Sequence, residues 1–153
     1  MFYLLGINAS DLFSLTKEDV DDGYLTYRRK KTGKLYTIYI YKEARILLNK
    51  YKGKNYLLSW AEEGRQANWF MHEMTKNFEK LFGKHITSNS ARHTWATIAA
   101  AIGIPKDTIT SALGHANGSK TTEIYIKRDE QQRIDEANRK VIDYLFGNEE
   151  GNH

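Results

Sequence analysis

The chain has 153 residues, 41% of them hydrophobic and 27% charged, with a formal net charge of +4. That is one soluble globular domain's worth of sequence, long enough to bury a core, and its mild basicity is by itself only a weak pointer to nucleic acid. With no cysteine, disulfides, thiolate zinc sites and a cysteine nucleophile are excluded, and no apolar run is long enough to cross a bilayer as a helix.

The first residues, Met1-Phe2-Tyr3-Leu4-Leu5-Gly6, are apolar at once and read like the middle of a buried helix. A helical segment is expected over residues 2 to 15, and a preceding N-terminal part of the natural protein is expected with it. Glu18-Asp19-Val20-Asp21-Asp22-Gly23 is turn chemistry. It lacks the ligand spacing and distal glutamate of a calcium loop. Tyr24 to Arg29 is rich in strand formers, Thr32-Gly33 makes a tight turn, and Leu35 to Ile40 alternates as the return strand. This hairpin carries Arg28, Arg29, Lys30, Lys31 and Lys34 at its tip, a dense cationic patch suited to phosphates.

Lys42 to Tyr51 has helical periodicity, with Ala44, Leu47 and Leu48 inward. Residues 52 to 67 read as a loop, with room for a short strand at Tyr56 to Leu58. Asn68 is placed to cap a helix whose Phe70, Met74, Phe78 and Leu81 form a core stripe. A second helix runs from Ser88 to Ile102, with Trp95, Ile98, Ala99 and Ile102 on one face. Gly103 breaks it, and Pro105 opens a helix ending near Leu113. A short helix from Ser119 or Lys120 to Ile126 and a last one from Asp129 to Phe146 follow, the latter with Ile134, Ala137, Val141, Tyr144 and Leu145 on its apolar side. The sum is a mainly α domain with a small antiparallel β-sheet near its start.

The residues that carry chemistry come in order: Ala91-Arg92-His93-Thr94-Trp95-Ala96-Thr97, then Leu113-Gly114-His115, then Thr121-Thr122-Glu123-Ile124-Tyr125. Arg92 can grip a phosphate through two parallel hydrogen bonds, His115 can donate to a phosphate oxygen, and Tyr125 offers an oxygen nucleophile. A free tyrosine has a pKa of about 10, so it needs nearby cations or a base to ionise. Taken singly, each has a plain structural reading: a surface cation, a helix C-cap, one packing tyrosine among ten. The ordered set resembles the catalytic domain of the tyrosine recombinases, the phage-integrase family, over most of the chain. Gly6-Ile7-Asn8-Ala9-Ser10-Asp11-Leu12 looks like that family's first box.

The resemblance implies one catalytic domain over residues 1–153, the C-terminal part of a longer integrase. It implies that Tyr125 forms a 3′-phosphotyrosyl link, that Arg92 clamps the phosphate, and that His115 is a transition-state donor. Lys31 protonates the departing 5′ oxygen in that reading, with Lys30 or Lys34 as alternative occupants. Arg28, Arg29, Lys30 and Lys34 hold the DNA, and no cofactor or metal takes part. Double-stranded DNA is the implied partner, bound as a homo-tetramer with exchange of C-terminal helices, in the cytoplasm of a bacterial or phage-host cell at the nucleoid. The sequence alone also allows the last helix to pack on its own core.

Three departures from the family pattern stand out. Asn8 occupies the neighbourhood of the usual first arginine and brings no charge; either another cation compensates or activity is weak. Asn89 replaces the histidine three residues before Arg92, sharing its helix face but unable to shuttle a proton. The His115–Tyr125 interval is one residue longer than expected, which Gly118 can absorb. His93 is a supporting position. A DNA-binding module of the same fold with weakened catalysis is therefore the alternative. A metal-dependent nuclease ranks low, for want of an Asp/Glu/His set with ligand spacing.

Overall fold

The computed structural model describes residues 1–62, 67–114 and 123–147, with side chains in the last stretch from residue 128 onward. Seven helices and one three-stranded antiparallel sheet are found among the described residues. Two compact units divide the chain, residues 1–93 and 94–153.

The first unit holds the sheet. Val20–Asp21 (β1), Tyr24–Arg28 (β2) and Leu35–Tyr39 (β3) pair in the order β1-β2-β3. The register follows from the alternation read in the sequence. Leu25 lies opposite Ile38, and both are buried. Tyr24 faces Tyr39 and Tyr27 faces Tyr36, with ring centroids 5.1 and 5.4 Å apart. Aromatic cross-strand pairs of this kind pin a register, because a one-residue slip would reverse both faces. The turn closes with Arg29 N–H donating to the Lys34 carbonyl at 2.9 Å and Gly33 N–H donating to the Arg29 carbonyl at 2.7 Å. The segment read only as a turn, residues 18 to 23, also supplies β1; its turn proper is Asp22-Gly23, both at positive φ.

The helix expected over residues 2 to 15 is two short pieces. A 3-10 turn at Phe2–Leu4 ends where Leu5 and Gly6 take φ of 54° and 65°, and Ala9–Leu12 (α1) follows. Two left-handed residues in a row reverse the chain, so a continuous helix cannot form. Thr16 and Asp19 make a reciprocal capping box on the next turn. The strand anticipated at Tyr56 to Leu58 reduces to a single bridge, Thr16 to Tyr56.

Lys42–Lys50 (α2) buries Ala44, but Leu47 lies outward, 43% exposed. Ser59–Glu62 (α3) and Ala67–Phe82 (α4) follow. Glu62 accepts hydrogen bonds from the backbone N–H groups of Asn55 and Tyr56, and backbone hydrogen bonding at Lys54 and Asn55 holds its carboxyl below the usual range. Asn68 lies inside α4 rather than capping it. Phe70 packs between Trp60 and Phe13, at 4.9 Å from each, which ties α4 to α1. Leu81, expected in the core stripe, is 71% exposed.

Ser88–Ala101 (α5) carries the division between the units. In the second unit, Lys106–Ala112 (α6) starts after Pro105 and packs on Glu123–Gly147 (α7). The two C-terminal helices expected from the sequence are one, continuous through Lys127-Arg128-Asp129. Trp95, Ala99, Ile134, Ala137, Val141 and Ile142 form the core, and the Trp95 indole N–H donates to buried Asn138 Oδ1 at 2.9 Å. Tyr144 and Leu145, assigned to the apolar side, are partly exposed together with Phe146.

Candidate phosphate-binding site

Arg92 sits in the second turn of α5, and the first box is built around it. A Cβ on Gly6 would lie 2.4 Å from the Arg92 Cα and 2.6 Å from its Cβ. No side chain fits in that space, so glycine at residue 6 lets the box backbone lie directly against the arginine's own backbone. The left-handed φ of Gly6 adds a second reason for glycine there. Asn8 follows two residues later, half-buried, just before α1.

Asp11 links this box to the hairpin. Its carboxylate is buried, 2% exposed, and accepts the Lys30 backbone N–H at 3.0 Å. A hydrogen bond to a charged acceptor contributes about 1.5–3 kcal/mol, enough to hold the base of the turn against the box. Tyr27 reports the same meeting of elements. Its phenol is pushed up from the usual tyrosine range, first by burial, then by the negative charge of Asp11 and by Tyr36. Arg29 and Arg92 act on it in the opposite sense. Burial, the dominant cause, and the Asp11 charge both favour the protonated phenol.

The tip of the hairpin is solvent-facing. Arg28 and Lys31 are exposed, and Arg28 Nη1 donates to the Gly33 carbonyl at 3.2 Å. Lys34 is half-buried, and its carbonyl accepts the Arg29 N–H that closes the turn. Asn89 and His93 are exposed on α5. The structure thus gathers Gly6, Asp11, Tyr27, Arg29 and Arg92. It places Lys31 on the hairpin that Asp11 anchors. His115 and the Tyr125 side chain lie outside the described residues. Sequence reading missed Tyr27 and gave Asp11 no task; a carboxylate in an otherwise apolar box was the available signal. Among the described residues no three His, Asp or Glu side chains converge to hold a metal ion, and no helix is long and apolar enough to cross a membrane.

The family model described as "Phage integrase family" matches residues 1–132. The chain belongs to the phage integrase family. That span contains the first box, the hairpin, Arg92, His115 and Tyr125. The chain is 30% identical over 125 residues to tyrosine recombinase XerA of Saccharolobus solfataricus, an alignment covering 78% of this chain and 41% of that protein. It is 28% identical over 161 aligned positions to tyrosine recombinase XerA of Thermococcus kodakarensis, covering 96% of this chain and 56% of that protein. The chain therefore spans about half the length of these relatives. No solved structure matches it significantly. Within the matched span this phage integrase family member packs Gly6 on Arg92 and carries Asn8 in the box and Asn89 on α5.

Proposed function

We propose that the chain is the catalytic domain of a site-specific recombinase that cuts and rejoins double-stranded DNA through tyrosine. The observation that carries this reading is the family match running from the first box through Tyr125. The packing of that box on Arg92 supports it. In this reading the Tyr125 oxygen attacks the scissile phosphorus. A 3′-phosphotyrosyl bond forms, the bond to the 5′ oxygen breaks, and Lys31 gives that oxygen its proton. Arg92 and His115 hold the non-bridging oxygens as charge builds on them. The covalent link conserves the bond energy, so resealing by the 5′ hydroxyl needs no cofactor. Arg28, Lys30 and Lys34 grip flanking phosphates.

The same reading makes residues 1–153 one functional domain of a longer integrase acting in the cytoplasm on the host nucleoid. It makes the working assembly a homo-tetramer on DNA that exchanges C-terminal helices. The partly exposed Tyr144, Leu145 and Phe146 on α7 suit such a docking. The test is incubation with nicked duplex DNA and a denaturing gel. A covalent protein–DNA band is expected, absent in Tyr125→Phe and slowed in Lys31→Ala with little loss of binding. A band that survives Tyr125→Phe removes the nucleophile assignment. Asn8 and Asn89 motivate a second reading, a DNA-binding module with weakened catalysis; binding without any trapped adduct would favour it.

A further inference from the structure

We infer that Arg29 contacts the scissile phosphate and supplies the guanidinium that the first box lacks at Asn8. The inference rests on the recombinase reading for its substrate but on separate observations for its geometry.

The side chain's direction follows from the strand. Along β2, Leu25 and Tyr27 are buried while Thr26 and Arg28 are exposed. Period-two alternation puts Arg29, the next residue, on the face of Leu25 and Tyr27. Arg29 is half-buried, in contrast to its exposed neighbours Arg28 and Lys30. Its backbone is fixed on both sides. Arg29 N–H is bonded to Lys34, and the adjoining Lys30 N–H is bonded to Asp11 of the first box. The charges of Arg29 and Arg92 both reach the buried Tyr27 phenol, and the Arg92 backbone lies against Gly6 of the same box that Asp11 joins to the hairpin.

The Nε of Arg29 is buried and has no hydrogen-bond partner among the described residues. Buried polar groups are almost always paired, and a guanidinium N–H kept from both water and protein is costly. An anionic oxygen answers that need. Guanidinium N–H groups are spaced to meet two phosphate oxygens at once. Asn8 offers one neutral amide in the box where resemblance implies a cation. Arg29, held by the hairpin that Asp11 fastens to that same box, restores the second positive charge beside Arg92.

Two measurements on the full chain test this. In the first, dimethyl phosphate is titrated into 15N-labelled protein and the arginine Nε–H signals are followed, with Arg29→Lys identifying the Arg29 signal by its loss. A saturable shift of the Arg29 signal is expected; an unmoved signal overturns the inference. In the second, adduct formation is timed on a pool of nicked duplexes of randomised sequence. Removing one preorganised donor slows such chemistry by about 10²–10³-fold, and Arg29→Ala is expected to do so at saturating DNA, where any loss of affinity does not limit the rate. Adding Asn8→Arg to Arg29→Ala is expected to recover at least about tenfold of that loss, a rescue that a purely structural role would not give. Arg29→Ala reacting at the parent rate overturns the inference. Should Arg29→Ala fail to fold, Arg29→Lys takes its place, because lysine keeps the charge and loses the paired donors. If the parent chain forms no adduct at all, the recombinase reading fails, and the phosphate titration still decides for or against Arg29.

Discussion

Gly6 shows how a single residue is chosen by two constraints at once. Its φ of 65° favours glycine, and its missing Cβ makes room for the Arg92 Cα. Gly6→Ala is therefore expected to cost at least about 2 kcal/mol of stability, combining left-handed strain with a backbone clash. It should also slow adduct formation by about 100-fold, since displacing a phosphate-binding group by an ångström has that effect. Urea melts and single-turnover adduct kinetics measure the two losses, and a variant as stable and as fast as the parent would contradict the packing argument. Tyr27 makes a different prediction. Its folded pKa is raised by burial and Asp11, so the folded state keeps a proton that the unfolded chain gives up. The associated stability is present in full below about pH 10, the unfolded value, and drains away as pH rises beyond it. Tyr27→Phe should flatten that alkaline decline relative to the parent. Equal slopes for the two proteins between pH 9 and 11 would show that the phenol does not titrate as placed.

Among the elements, the β2–β3 hairpin was the easiest to read and α7 the hardest. The hairpin announces itself through alternation, Thr32-Gly33 and facing tyrosines, all within sixteen residues. The expected break at Lys127-Arg128-Asp129 had only charge to recommend it, and lysine and arginine are good helix formers. α7 is held instead by apolar residues and by one buried polar pair. Asn138 is 1% exposed and accepts from the Trp95 indole, itself fully buried. Replacing Asn138 by Leu strands the indole N–H without a partner, at a cost of about 1–3 kcal/mol. Calorimetry should show a lowered Tm; an unchanged Tm would mean that the indole finds another acceptor. Leu47 and Leu81 teach the complementary point. Both fit an amphipathic stripe, yet both are exposed, because helical spacing says which residues share a face and not how far a neighbouring element extends along it.

For the molecule as a whole, charge placement matters more than the net +4. Five of its cations lie within Arg28 to Lys34. Binding to duplex DNA should weaken linearly in log–log form with salt, and each phosphate contact removed should reduce the slope by about 0.9. Arg28→Ala and Lys34→Ala are each expected to lower it by that amount without changing the adduct rate at saturating DNA. A slope indifferent to both would move the DNA-binding surface away from the hairpin tip.

The sequence by itself determined the family and the mainly helical character with one small sheet, and it supplied the residues proposed to carry the chemistry. Those signals are local: a motif of a few residues, a period of two or 3.6, a glycine where a turn is required. It also showed that the first box carries no cation, with Asn8 where the resemblance leads one to expect arginine. What tertiary structure decided was which distant groups meet. That Gly6 admits Arg92 and that Asp11 fastens the hairpin depend on contacts between segments far apart in sequence; alternation alone puts Arg28 and Arg29 on opposite faces, and packing decides which face is inward. The reason is physical: burial and pairing belong to neighbours in space, and one chain read alone gives each residue's chemistry without naming the partner that gives it a task.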